Sequence, residues 1–170
     1  MLTACGVESV QVRKEEQLRE IDGLIIPGGE STTIGKLLKQ FCLFDPLIDR
    51  AKSGMPIFGT CAGLIMLAKD INNSDQPRLG LMDVVAERNA YGRQVDSFEA
   101  ALKIGCLGSE PVRAVFIRAP YIEQVGEGVD VLAVHGEKIV LARQGRYLAA
   151  AFHPELTEDT RLHRYFIGMV

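Results

Sequence analysis

The sequence predicts an α/β fold: a doubly wound, mostly parallel central sheet flanked by helices and extended by antiparallel strands. Three observations carry this. Residues 22–27 and 56–58 are continuous apolar runs that turn through glycine into helical stripes, the pattern of strands covered on both faces. The second half is a succession of short strand patterns with little helical periodicity between them. An amphipathic stripe closes the chain. At 170 residues this is one expected domain, 1–170, that buries roughly two-thirds of its unfolded surface.

In chain order, residues 8–13 read as a short strand, and the charged stretch 14–19 as exposed. The second strand, 22–27, runs into Gly28-Gly29-Glu30-Ser31-Thr32-Thr33, a tight turn. Ile34, Leu37, Leu38 and Phe41 then fall at i, i+3, i+4 and i+7, one helical face that starts near a Ser/Thr cap. Residues 45–52 give a second helix, stopped by Ser53-Gly54. Residues 56–58 form a buried strand, 59–63 a turn and 64–68 a buried helix. A polar loop at 72–77 follows. Strands are expected at 84–89, 98–102, 112–118, 129–134, 138–142 and 147–152, and Leu162, Tyr165, Phe166 and Met169 mark the closing helix.

Composition excludes several functions. Nineteen Lys and Arg against 22 Asp and Glu leave a formal charge of −3, with no basic excess for nucleic acid or an anionic membrane. No apolar run reaches the length of a membrane span, and the first six residues lack a signal-peptide pattern, so a cytoplasmic location is expected. The four cysteines, at 5, 42, 61 and 106, show no metal-finger or paired spacing and are expected to be free thiols. No metal or cofactor is expected.

The chemistry centres on Gly59-Thr60-Cys61-Ala62-Gly63. A cysteine on a strand-to-helix elbow, between small residues, has room for a substrate beside it. The following helix offers N–H groups and a positive partial charge to a negative sulfur or a developing oxyanion. A buried cysteine is otherwise an inert small hydrophobe, which is how Cys5, Cys42 and Cys106 read. His153 and Glu155 stand two apart on an extended segment and so share one face, as a base and the carboxylate that orients it. His135, in a hairpin turn, and His163, on the last helix, read as surface residues. Gly28-Gly29-Glu30-Ser31 can form an anion-binding nest, and Arg88 and Arg118, each at a strand end, can clamp a carboxylate.

Five segments taken together resemble a known family. They are Pro27-Gly28-Gly29-Glu30-Ser31-Thr32-Thr33, Phe58-Gly59-Thr60-Cys61-Ala62-Gly63-Leu64, Glu87-Arg88-Asn89 with Tyr91-Gly92-Arg93-Gln94, Val115-Phe116-Ile117-Arg118-Ala119-Pro120 and Phe152-His153-Pro154-Glu155-Leu156-Thr157. In this order they resemble the glutaminase subunits of two-protein pyridoxal 5'-phosphate synthases, which are class I (triad) glutamine amidotransferases with a flavodoxin-like fold. The resemblance implies that Cys61 attacks the side-chain amide of glutamine through a thioester, with His153 as base and acid and Glu155 orienting it. It implies that the backbone N–H groups of Gly29 and Ala62 form the oxyanion hole, and that Gly29, Glu30, Ser31, Arg88, Ile117 and Arg118 hold the glutamine. The partner it implies is a TIM-barrel synthase subunit that receives ammonia and switches the glutaminase on by docking. Family members open with a further strand and helix before the segment matching Ala4-Cys5-Gly6, so the first βα unit is expected to be missing. The alternative reading is a catalytically impaired docking subunit.

Overall fold

The computed structural model describes residues 1–88 and 97–170. Its elements are α1 (Glu15–Glu20), β1 (Leu24–Ile26), α2 (Ser31–Gln40), α3 (Phe44–Lys52), β2 (Ile57–Thr60), α4 (Ala62–Leu67), β3 (Ala68–Ile71), β4 (Met82–Glu87), β5 (Ser97–Leu102), β6 (Val112–Ile117), β7 (Tyr121–Val125), β8 (Asp130–His135), β9 (Lys138–Gln144), β10 (Tyr147–Ala150) and α5 (Arg161–Ile167). Short 3-10 turns lie at Thr3–Cys5, Gly105–Leu107 and Pro154–Leu156.

The main sheet runs β1-β2-β10-β9-β7-β4-β3, with β8 paired along β9, while β5 and β6 form a separate antiparallel ribbon. β1, β2 and β10 are parallel neighbours, as are β3 and β4. The contacts of β9 with β10, β7 and β8, and of β7 with β4, are antiparallel. The expected α/β fold is present, as a mixed sheet with more antiparallel pairing than expected.

The core sits where the parallel strands meet α4. Every residue of β2 is buried, and so is every residue of α4, the environment that continuous apolar runs require. Phe58, on β2, packs against Phe166 of α5 with ring centroids 5.6 Å apart. The small residues Ala149, Ala150 and Ala151 let neighbouring elements close onto β10 and its continuation, and all three are fully buried.

Several expectations are corrected. Residues 8–13 form no strand, because backbone in that conformation needs a neighbour, and β1 pairs only with β2 among the described residues. The charged stretch 14–19 is largely helical, in α1, with Leu18 fully buried and the Gln17 side chain accepting from the Lys14 N–H at 3.1 Å. β3 takes over where the helix was expected to continue at Ala68, and β7 lies in a stretch read as no element. The strand read at 84–89 ends at Glu87, and Asn89 lies outside the described residues.

Candidate active site

β2 and β10 lie side by side and end level with each other. Ala150 is opposite Thr60, and the Cys61 N–H donates to the Ala150 carbonyl at 2.8 Å. One residue beyond β2 and three beyond β10, Cys61 and His153 leave the same end of the sheet, the carboxyl ends of its parallel strands, where α/β folds place their sites. The strand extends to Thr60 and the helix starts at Ala62, so Cys61 alone makes the turn. It does so at φ 49° and ψ −103°, a conformation costly for a residue with a Cβ and characteristic of a strained elbow. Gly63 serves packing rather than substrate access, since a Cβ there would stand 2.0 Å from the Ile26 carbonyl oxygen on β1.

His153 is fixed from several sides. Its backbone N–H donates to the Val115 carbonyl at 2.8 Å, tying the continuation of β10 to β6. Its Nδ1 is 2.7 Å from Glu155 Oε1, and the Cys61 side chain is near enough to act on the imidazole's charge. Gly28 faces the ring so closely that a Cβ there would lie 2.3 Å from His153 Cε1. The neighbouring Cys61 sulfur, then the hydrogen bond to Glu155, outweigh desolvation and push the imidazole up to about 10. Burial alone would raise the Glu155 carboxyl; the hydrogen bond with His153, a backbone N–H and the nearby imidazoles hold it below its usual range instead. Cys61 is 7% exposed, and its Sγ lies 3.9 Å from the Ile117 carbonyl at the end of β6. Arg118 follows Ile117 with φ 41°, which bends the chain there.

A second cluster adjoins Gly28. Gly29, at φ 150°, leads into Glu30, which caps α2: its carboxylate accepts from the Thr33 N–H at 2.8 Å, the Thr32 N–H at 3.3 Å and both threonine hydroxyls. The Thr32 hydroxyl bond is the largest of the influences that hold this carboxyl at about 2. Arg88 Nη2 stands 3.5 Å from Glu30. Ser31, only 3% exposed, donates to Gln76 Oε1 at 3.2 Å, and Arg88 Nη1 donates to the same oxygen at 2.9 Å. Sequence reasoning missed Gln76, which reads as an ordinary polar loop residue.

The structure therefore joins Cys61, His153 and Glu155 with the Ile117 carbonyl, and gathers Glu30, Ser31 and Arg88 around Gln76. Gly29 connects the two groups, Ala62 supplies the first N–H of α4, and Arg118 is placed by chain connectivity. The expected motif residues Tyr91, Gly92, Arg93 and Gln94 lie outside the described residues. His163 is not a surface residue: it is 3% exposed, edge-on to Phe58 at 5.9 Å, and burial pushes its imidazole down. His135 is half-buried and stacks on Phe98 at 5.3 Å. Cys5, Cys42 and Cys106 carry free thiols. Among the described residues no group of three or more His, Cys, Asp or Glu is placed to hold a metal ion, and no helix is long and apolar enough to cross a membrane. A cavity of about 520 Å³ lined by Lys52, Lys69, Asp83 and Arg146 lies at the opposite end of the sheet, near the start of β10.

A thiol on a strained strand-to-helix elbow, facing a histidine backed by a carboxylate at the carboxyl edge of a mixed sheet, defines a class of α/β proteins with a cysteine elbow. Comparison with known proteins narrows the class. The model of the SNO glutamine amidotransferase family matches residues 1–170, and the chain belongs to that family. It is 69% identical over 167 residues to a protein of Pelotomaculum thermopropionicum named pyridoxal 5'-phosphate synthase subunit PdxT, covering 98% of this chain and 85% of that one. A protein of the same name from Desulforamulus reducens is 66% identical, with 99% and 90% covered. Among solved structures, a glutamine amidotransferase superposes with a TM-score of 0.94 at 52% identity, over 99% of this chain and 89% of that one. A glutamine amidotransferase from Thermotoga maritima shares the fold, with a TM-score of 0.59 at 15% identity over 98% and 67% of the two chains.

Proposed function

We propose that the chain is the glutaminase subunit of a cytoplasmic pyridoxal 5'-phosphate synthase, acting as one domain that hydrolyses L-glutamine and passes ammonia to a TIM-barrel synthase subunit. The observation that carries this reading is the position of His153, beside Cys61 at the carboxyl ends of β2 and β10 and hydrogen-bonded to Glu155. The names of the relatives supply the biosynthetic context.

In this mechanism the proton of the Cys61 thiol passes to His153, the sulfur bonds to the side-chain amide carbon of glutamine, and the carbonyl electrons move onto oxygen. The N–H groups of Gly29 and Ala62 receive the resulting oxyanion. His153 gives its proton to the amide nitrogen, the C–N bond breaks, and ammonia leaves a glutamyl thioester. A water then yields a proton to His153 and attacks the thioester; the C–S bond breaks, His153 returns the proton to the sulfur, and glutamate departs. Glu155 keeps the imidazole oriented and balances its charge. Ser31 and Arg88, with the backbone of Gly29 and Glu30, hold the amino acid end of the substrate, while Ile117 and Arg118 border the thiol.

The test is glutamate release from glutamine by the purified protein, alone and with the synthase subunit, for wild type and Cys61→Ala. Release that requires Cys61 and rises with the partner is expected. No release under either condition, with docking intact, would replace the enzyme with a docking subunit.

A further inference from the structure

We propose that Gln76 is a positioning residue for glutamine binding, its side-chain oxygen setting the placement of both Ser31 and Arg88. The assignment rests on reading those two residues as glutamine-binding. Gln76 Oε1 accepts two hydrogen bonds, from Ser31 Oγ at 3.2 Å and from Arg88 Nη1 at 2.9 Å, and so joins the start of α2 to the end of β4. These residues are 45 and 12 positions away in sequence, and Gln76 is the side chain that contacts both. Arg88 also approaches Glu30 at 3.5 Å, so the guanidinium is held by one neutral and one charged acceptor and keeps donors for an incoming carboxylate.

The loop that carries Gln76 is anchored, which a positioning role requires. Leu79 and Leu81 donate their N–H groups to Met66 and Leu67 at 2.7 and 2.9 Å, and Arg78 bonds to the Lys69 carbonyl and to Asp70 at 2.8 Å each. On the other side the loop lies against α2 at Gly35, where a Cβ would stand 2.9 Å from the Pro77 carbonyl oxygen. Gln76 is itself 8% exposed, and its Nε2 is enclosed with no hydrogen-bond partner among the described residues. An unmet buried donor costs stability, and the two bonds to the oxygen of this amide offset that cost. A neutral acceptor also matters. A carboxylate at 76 would bind Arg88 more strongly and place a second negative charge beside Glu30, against a substrate carboxylate.

The experiment titrates L-glutamine calorimetrically into the complex of the Cys61→Ala protein, which does not turn over, with its synthase subunit, with and without Gln76→Met, and measures kcat and KM for Gln76→Met and Gln76→Glu in the Cys61 enzyme with the same subunit. Methionine keeps the volume and removes the acceptor. Expected is a loss of glutamine affinity, and a rise in KM, of about ten- to hundredfold, the worth of a hydrogen bond to a charged group, with kcat within about threefold. Gln76→Glu is expected to weaken binding at least as much although it keeps both acceptor contacts. Unchanged affinity in Gln76→Met, or a fall in kcat at constant KM, overturns the proposal. Should circular dichroism show Gln76→Met unfolded, Gln76→Glu decides, and wild-type affinity there overturns it. If the Cys61→Ala protein with Gln76 intact binds no glutamine, it is the underlying reading of the site that fails instead.

Discussion

The elbow region and the first thirteen residues are opposites in how their backbone is held. Around the elbow, Phe58, Leu64, Met66, Leu67, Leu148, Ala149, Ala150, Ala151 and Phe152 are all fully buried, and a Cβ at Gly28 or Gly63 would collide with a neighbour. In residues 1–13 nothing is buried; Val10 is 58% exposed, and Val12 only lines an apolar cavity of about 160 Å³ with Leu18, Ile26, Ile34 and Leu38. The difference teaches what makes a strained turn usable. A residue held at φ 49° persists only where the surroundings over-determine it, and β2, β10 and α4 do so from three directions. The N-terminal stretch has comparable strand-forming residues but no strand partner, and it stays irregular.

The contrast is broken most severely at the imidazole. His153→Ala should lower glutamate release on the order of 10³-fold or more, because proton transfer in both half-reactions passes through that ring. A fully active variant would remove His153 from the chemistry. Gly28→Ala is the sharper probe of fit. The added methyl must displace His153, and a displacement of about 1 Å can cost roughly a hundredfold in kcat. Its melting temperature should fall as well at pH values where the ring is charged, since moving the ring weakens the contact with Glu155 that stabilises that form. Wild-type kcat in this variant would show that the close approach is not what orients the ring.

How much of this was legible in the sequence follows the same division. The parallel strands, the α2 stripe and the Cys61 elbow could be read because burial on both faces leaves continuous apolar runs and because glycine marks close approach. The sequence pairs His153 with Glu155 for a reason the structure corrects: extended backbone would put both on one face, but β10 ends at Ala150 and Glu155 lies in the 3-10 turn Pro154–Leu156, which brings its carboxylate to 2.7 Å from Nδ1. The absence of a strand at 8–13 was not legible, since β propensity says nothing about whether a neighbour is present. His163 was misread because an imidazole within an amphipathic helix looks polar, whereas here its edge meets Phe58 in the core. Gln76 was invisible because its role depends on partners brought together by the fold from α2 and the end of β4.

Two stability measurements sharpen the comparison. Leu18→Ala should cost about 2–3 kcal/mol in urea unfolding, because Leu18 is fully buried and already borders the cavity that Val12 lines. Its loss enlarges a hole rather than letting neighbours close in. At the elbow the corresponding effect depends on pH. His153 is raised from 6.5 to about 10 in the folded protein, so the stability its charged form contributes is complete below pH 6.5 and disappears as pH rises through about 10. The gap in unfolding midpoint between wild type and His153→Gln should therefore narrow across that window. A gap that widens with pH would reverse the sign assigned to the Cys61 and Glu155 contacts.

Val10→Ser should have the smallest effect, within about 0.5 kcal/mol, since an isolated exposed valine with no strand partner gains little from burial. A serine in place of the fully buried Ile57 of β2 would bury an unpartnered hydroxyl and cost several times more. If Val10→Ser instead lowers the unfolding midpoint as much as Leu18→Ala, then Val10 is covered in solution. The N-terminal stretch would then be as closely held as the elbow, and the distinction between the two regions would collapse.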